Sequence, residues 1–106
     1  YKVSEDMLKK LEDLDQYIIE HFRISFGNRI MKQISDFVPS YVACGGTELD
    51  AIDYLIASKI LRKFEQLNLA FIKNELDEFI NYLNTHFGKE NMIKCKEFII
   101  RLKKSM

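Results

Sequence analysis

The residues with the clearest chemical potential lie at positions 25–29, which read Ser-Phe-Gly-Asn-Arg. Gly27 suits a turn because glycine tolerates positive φ angles, and Arg29 follows in the first turn of a predicted helix. A helix N-terminus carries partial positive charge, so a cation there is unfavourable unless an anion approaches it. The pattern indicates either an anion site or a surface Arg29 that pairs with an acidic neighbour such as Glu20 or Asp50.

Other catalytic or metal-binding patterns are absent from the sequence, which has no glycine-rich phosphate loop, nucleophile elbow or zinc-binding His pair. His21 and His86 fall at the ends of predicted helices, where an imidazole serves as an ordinary capping group. Asp50 and Asp53 lie three residues apart and could form a carboxylate pair, but a solvated helix start explains them better. We therefore expect no catalytic residue and no metal site within the chain.

Composition predicts one folded, soluble domain that occupies residues 1–106. Hydrophobic residues make up 47% of the chain and aromatic residues 12%, which is too rich for a disordered segment. No apolar run is long enough to span a bilayer, so we expect no membrane partner. Cys44 and Cys95 do not form a disulfide framework. A reducing compartment, the cytoplasm, is the simplest location.

Charge is distributed unevenly although the net charge is zero. Residues 1–53 carry 6 basic and 10 acidic side chains, whereas residues 54–106 carry 10 basic and 6 acidic. The C-terminal cations could contact nucleic acid, but complementing a helix C-terminus is the interpretation we favour, because nucleic-acid modules usually carry a net basic excess. These cations are Lys94, Lys96, Arg101, Lys103 and Lys104.

The apolar spacing predicts three helices in the first part of the chain. Ser4 can cap the first, whose apolar stripe reaches Phe22. A short second helix is expected to end at Pro39, because proline cannot continue the hydrogen-bond ladder. Thr47, followed three residues later by Asp50, resembles a capping box that opens a third helix.

Two further helices follow, so the fold class is all-α, a compact bundle of about five helices. The third helix should carry its wide apolar face as far as Phe64, with Leu55 and Ile56 near the centre of the core. A fourth begins at about Leu69 and ends before Gly88, and a fifth contains Met92 to Leu102. The last two complete the bundle.

With these elements in place, the chain resembles the C-terminal helical lid of AAA+ nucleotidases. The resemblance is closest to the branch that includes the GTPase subunit of modification-dependent (5-methylcytosine) restriction systems. It covers about Leu8 to Phe64. The residues that carry it are segments 24–30, Ile-Ser-Phe-Gly-Asn-Arg-Ile, 49–53, Leu-Asp-Ala-Ile-Asp, and 59–64, Lys-Ile-Leu-Arg-Lys-Phe.

The resemblance implies that Arg29 is the sensor-2 residue, which reaches the γ-phosphate of ATP or GTP, while Gly27 and Asn28 shape its turn. The nucleotide and its Mg²⁺ would bind a preceding AAA+ core domain of the parent protein, a cytoplasmic NTP hydrolase. The chain starts at Tyr1 without an initiator Met, so we expect a piece of such a longer polypeptide. The resemblance further implies a homo-oligomer, with DNA as a partner of the parent.

Two other interpretations fit the helical pattern. A protein–protein interaction module without nucleotide function could use an apolar groove between helices. A DNA-binding helix-turn-helix is disfavoured, since the predicted connection between Pro39 and Thr47 exceeds the usual turn and helix four is acidic.

Overall fold

The computed structural model describes residues 3–105, which contain five α-helices and no β-strand. The helices are α1 (Glu5–Phe22), α2 (Gly27–Ala43), α3 (Glu48–Leu55), α4 (Lys73–Phe87) and α5 (Ile93–Lys104). The predicted all-α bundle of about five helices is confirmed. The expectation based on Tyr1 falls outside the described residues. None of the helices within them is long and apolar enough to cross a bilayer.

The first helix begins and ends as its sequence predicts. The Ser4 hydroxyl accepts a hydrogen bond from the Met7 N–H at 3.2 Å, and α1 stops at Arg23, which has a φ of 60°. A left-handed residue at this point closes the last turn of a helix. Every fourth or third side chain of α1 faces the core. The buried set is Met7, Leu11, Leu14, Ile18 and Phe22.

The second helix is longer than predicted, because Pro39 lies inside it rather than at its end. Proline has no N–H, so the carbonyl of Ser35 loses its helical partner. Ser35 is exposed, which leaves that carbonyl open to water, while Val38 is buried and Val42 packs against the core one turn later. The apolar contacts on both sides of Pro39 keep the chain helical through it.

The connection between α2 and α3 is therefore only Cys44–Thr47. This length fits a helix-turn-helix, so the prediction of a connection too long for that motif is wrong. Charge still argues against DNA reading by α3, since this helix carries Glu48, Asp50 and Asp53 and has no Lys or Arg. The predicted cap of α3 is confirmed, with the Asp50 N–H donating to Thr47 Oγ1 at 3.1 Å.

The third helix was predicted as a single α-helix but changes its hydrogen-bond pattern twice. After Leu55 it continues as a π-helical turn, Ile56–Ile60, and then as a 3₁₀ segment, Leu61–Gln66. Within the turn, the Ser58 hydroxyl donates to the Tyr54 carbonyl at 2.7 Å and competes with the backbone for that acceptor. The wider turn adjusts the phase of the helix so that the apolar side chains on both sides of it are buried.

The fourth helix starts later than predicted. Residues Leu69–Phe71 form a separate 3₁₀ turn, and α4 begins at Lys73. Phe71, which falls within the predicted fourth helix, is 85% exposed because it precedes the observed one. The predicted helix end is confirmed, since Gly88 follows α4 with a φ of 96°.

An aromatic cluster occupies the centre of the core, where α1, the 3₁₀ segment and α4 meet. Phe22 lies 4.6 Å from Phe64 and 5.5 Å from Phe79 between ring centroids. Leu55 is 5% exposed and Ile56 is fully buried, which confirms their predicted place in the core. The third helix joins α2 on one side and α5 on the other.

Candidate functional site

The turn between α1 and α2 is attached to the core on one side and exposed to solvent on the other. Phe26 is buried, and its N–H donates to Asp15 Oδ1 at 2.9 Å. Gly27 has a φ of 71°, in the region that favours glycine, and a Cβ there would meet no atom within 4 Å. Phe26 thus attaches the turn to the core, while the backbone of Gly27 faces open space.

Arg29 lies on this open side, beside the exposed Asn28. Its guanidinium forms no ion pair with any residue between 3 and 105. Of the two acidic neighbours considered above, Glu20 instead accepts a hydrogen bond from Gln16 at 3.1 Å. The neighbour-pairing interpretation therefore has no support among the described residues.

The first turn of α2 differs from those of α1 and α3. Its cap residue, Phe26, offers no side-chain acceptor, and the turn contains no acidic residue, although Ser25 Oγ accepts a hydrogen bond from the Gly27 N–H at 3.3 Å. By contrast, α1 has Glu5 and Asp6 in its first turn and α3 has Glu48 and Asp50. The N–H groups that follow Gly27 and a nearby guanidinium both produce positive potential, which the Asp15 carboxylate on the Phe26 N–H offsets only in part. This arrangement can hold an anion.

Asp53, expected on a solvated helix start with Asp50, is instead buried. Its carboxylate accepts hydrogen bonds from the backbone N–H groups of Lys94 and Cys95, each at 2.8 Å, and so caps α5 from α3. Met92, the residue at the cap position of α5, provides no side-chain acceptor. The two aspartates do not form a carboxylate pair, because one is structural and the other exposed.

The two cysteines differ in accessibility, with Cys44 exposed and Cys95 buried. The Cys95 thiol donates to the Asp53 carbonyl oxygen at 3.5 Å. Burial, followed by the charge of Asp53, raises the pKa of this thiol well above its ordinary value. The thiol is therefore neutral and packs as part of the core.

Part of the basic C-terminal set serves the fold. Lys96 is only 8% exposed, and its ammonium donates to the carbonyl oxygens of Gly88 at 3.1 Å and Lys89 at 3.0 Å, just past the end of α4. Lys103 pairs with Asp77 of α4. Lys96 thus complements a helix C-terminus as expected, although that helix is α4 rather than α5, whereas the contact of Lys103 is with a side chain.

The whole chain, residues 1–106, matches the domain of unknown function DUF8727. The chain belongs to this family. No curated protein and no solved structure shows a significant match to it. The function of this DUF8727 domain must therefore be inferred from its own side chains.

A second polar group in the DUF8727 domain was not anticipated from sequence. His21, Glu75 and Glu78 place ligand-type atoms within 4.8 Å of one another. Within the group, His21 Nδ1 lies 2.8 Å from Glu75 Oε2, a direct pair that joins the end of α1 to the start of α4. Glu75 and Glu78 share a helix face in the sequence, but their contact with His21 depends on how α1 packs against α4. Both members of the pair are about one-third exposed, at 33% and 37%, so the pair adds little stability.

Four rings form a row along the same side of the DUF8727 domain. Ring centroids are 4.2 Å apart from His21 to Tyr17, 4.1 Å from Tyr17 to Tyr82, and 4.0 Å from Tyr82 to His86. Burial, then the charges of Glu78 and Glu75, raises the pKa of Tyr17. Burial, then the charges of Asp13 and Tyr17, raises the pKa of Tyr82 to about 12. Each histidine thus stacks on a phenol that stays neutral.

We expect the DUF8727 domain to lose stability as the pH rises from 10 to 12. The neutral form of Tyr82 is favoured in the folded state, so its contribution is complete below the unfolded pKa of about 10 and disappears as the pH passes 12. Absorbance at 295 nm should show a phenolate component near pH 12 that Tyr82→Phe removes and Tyr54→Phe retains. A Tyr82→Phe protein that still shows this component would contradict the assignment.

Proposed function

We propose that this domain is the C-terminal lid of an AAA+ ATPase or GTPase and couples nucleotide state to lid movement and subunit assembly. One observation carries the proposal. Arg29 is exposed and without an ion pair among residues 3–105, and it lies in the first turn of an uncapped helix. A cation in that position is stabilised by an anion from outside the domain.

The chemistry of arginine supports a phosphate as that anion. A guanidinium is always charged and presents a rigid fork of N–H donors that matches phosphate oxygens. Its contacts change when the γ-phosphate is lost, so the lid binds the triphosphate and diphosphate states with different affinity. That difference in free energy is what converts hydrolysis into lid rotation. Gly27 and Asn28 shape the turn that presents Arg29.

The remaining components lie outside the domain on this proposal. ATP or GTP and Mg²⁺ bind the core domain that precedes the lid in the parent protein, which is a cytoplasmic NTP hydrolase and a homo-oligomer. DNA is the substrate of the parent if the similarity to restriction systems extends to function. The lid itself contributes Arg29 and no other group to the reaction, and by itself it is not an enzyme.

Removing the Arg29 side chain should separate stability from activity. We expect Arg29→Ala to change the free energy of unfolding of the domain by less than about 0.5 kcal/mol, because the side chain is exposed and unpaired. In the full-length protein the same change should lower kcat for ATP or GTP roughly 100-fold, as for the loss of a transition-state donor. Urea titration and steady-state hydrolysis measure the two effects.

Two further variants make this test specific. Lys32→Ala removes an exposed cation from the next turn of α2, where it pairs with Asp36 at 3.3 Å, and should leave kcat unchanged. Arg29→Lys keeps the charge but not the fork, and should recover only part of the rate. An Arg29→Ala protein that hydrolyses both nucleotides at the parental rate would disprove the sensor role.

A second candidate is a protein–protein interaction module without nucleotide function. Phe71 favours it, since this side chain is 85% exposed in a short turn and contributes nothing to the core. The Arg29→Ala comparison distinguishes the two candidates, because an interaction module has no nucleotide for Arg29 to contact.

A further inference from the structure

A groove between the third helix and α5 is lined by cations that form no ion pair among the described residues. We call it the α3–α5 groove, and it encloses about 330 Å³. All of its residues come from the basic half of the chain, positions 54–106. Its charged and aromatic lining consists of Tyr54, Arg62, Lys94, Glu97, Phe98 and Arg101.

Three cations in the α3–α5 groove have no acidic partner. Arg62, Lys94 and Arg101 are exposed, and none forms an ion pair with another residue between 3 and 105. By contrast, Lys96 and Lys103 of α5 both contact other parts of the fold. The groove thus has three positive groups and one negative group, which makes it complementary to an anionic partner.

Aromatic surface accompanies these charges. Tyr54 is 50% exposed at the rim, and its ring stacks on Phe37 of α2 with 5.8 Å between the ring centroids, which leaves its exposed side for a ligand. Phe98 is half-buried at the base, with the Arg101 guanidinium 5.6 Å from the centre of its ring. An exposed tyrosine ring provides a flat surface on which a base can stack, and the unpaired cations beside it can bind phosphates.

We propose that the α3–α5 groove binds single-stranded nucleic acid, with phosphates on Arg62, Lys94 and Arg101 and a base stacked on Tyr54. The exposed ring of Tyr54 favours this partner over an acidic peptide, because a base can stack on it beside the phosphate contacts. Glu97 repels any anionic group, but it can accept a hydrogen bond from the amino group of a base. A duplex keeps its bases stacked inside and offers no free face to Tyr54. This proposal does not depend on nucleotide sensing by Arg29.

Fluorescence anisotropy with a labelled 20-nucleotide single strand of mixed C and A tests the proposal. We expect the chain to bind with a Kd below about 100 μM at 50 mM salt. Three phosphate contacts give a slope of log K against log salt of about −2, or roughly 20-fold weaker binding at 200 mM salt. Replacing Arg62, Lys94 and Arg101 together with Gln should abolish measurable binding.

The matched control replaces Lys9, Lys73 and Lys89 with Gln, which removes the same charge from exposed sites outside the groove, and should retain binding within about threefold. Tyr54→Ser should weaken binding at least about fivefold, and Tyr54→Phe by less than about twofold, because either aromatic ring can stack. Circular dichroism verifies that each variant is folded.

Several results would overturn the proposal. Equal losses in the two triple variants would show that binding depends on overall charge rather than on the groove. Equal affinity for a duplex, or no effect of Tyr54→Ser, would exclude stacking. A polyglutamate peptide that binds as tightly as the single strand would assign the groove to an acidic protein segment instead.

Discussion

Replacing Asp53 with alanine is expected to destabilise the domain by about 2–4 kcal/mol, since it removes the cap of a helix and leaves two N–H groups without their acceptor. The carboxylate is buried and spans from α3 to the backbone of Lys94 and Cys95. Hydrogen bonds to a charged group are stronger than neutral ones, and no other side chain among residues 3–105 caps α5. Urea unfolding followed by circular dichroism measures the loss.

Asp50→Ala is the matched control, because Asp50 is one turn earlier on the same helix and exposed. Its removal should cost less than about 1 kcal/mol, the usual size of a dipole interaction at a helix start. Asp53→Asn, which keeps one acceptor oxygen, should fall between the two. An Asp53→Ala protein as stable as the Asp50→Ala protein would show that α5 does not need this cap.

A comparable loss, about 2–5 kcal/mol, is expected for Leu55→Ala, because the truncated side chain leaves a cavity where the third helix joins its neighbours. Leu55 is only 5% exposed and lies directly before the π-helical turn. The denaturation midpoint should fall while the urea dependence of the free energy stays the same, as for a change in packing alone.

Ile100→Ala removes a side chain of similar size from α5, where it is 43% exposed, and should cost less than about 1 kcal/mol. The difference between the two variants measures the additional cost of truncating a buried side chain rather than a half-exposed one. A Leu55→Ala midpoint equal to that of Ile100→Ala would place the third helix at the edge of the core rather than inside it.

The elements that could be predicted from sequence are those decided by neighbouring residues. Ser4 and Thr47 cap helices through contacts three residues ahead, and Gly88 ends a helix through its own φ angle. Apolar spacing likewise located Leu55 and Ile56 in the core. These signals act within one or two turns of the chain, so the sequence alone contains them.

The features that the sequence did not reveal depend on contacts between distant segments. Pro39 is a strong local signal for a helix end, but packing on both sides of it prevails. Asp53 was expected in water because its helix start is polar, yet its partners lie 41 and 42 residues away. Propensity is a weak prior where tertiary contacts decide the outcome.

The candidate site shows the same division. The turn around Gly27 and the position of Arg29 in a first helical turn follow from local spacing. The α3–α5 groove does not, because Arg62 comes near Lys94 and Arg101 only after the third helix and α5 pack together. A basic C-terminal sequence revealed the charges but not which of them the fold itself uses.

The contact between Asp53 and Cys95 links the detachment of α5 from the core to the reactivity of the Cys95 thiol. The same residue provides both the capped N–H and the buried thiol. The last helix therefore cannot detach without breaking its cap and bringing the thiol into water, where it regains its ordinary acidity. Local unfolding of α5 therefore produces a reactive thiolate. An oxidant would modify Cys95 only in those molecules whose last helix had detached from the core.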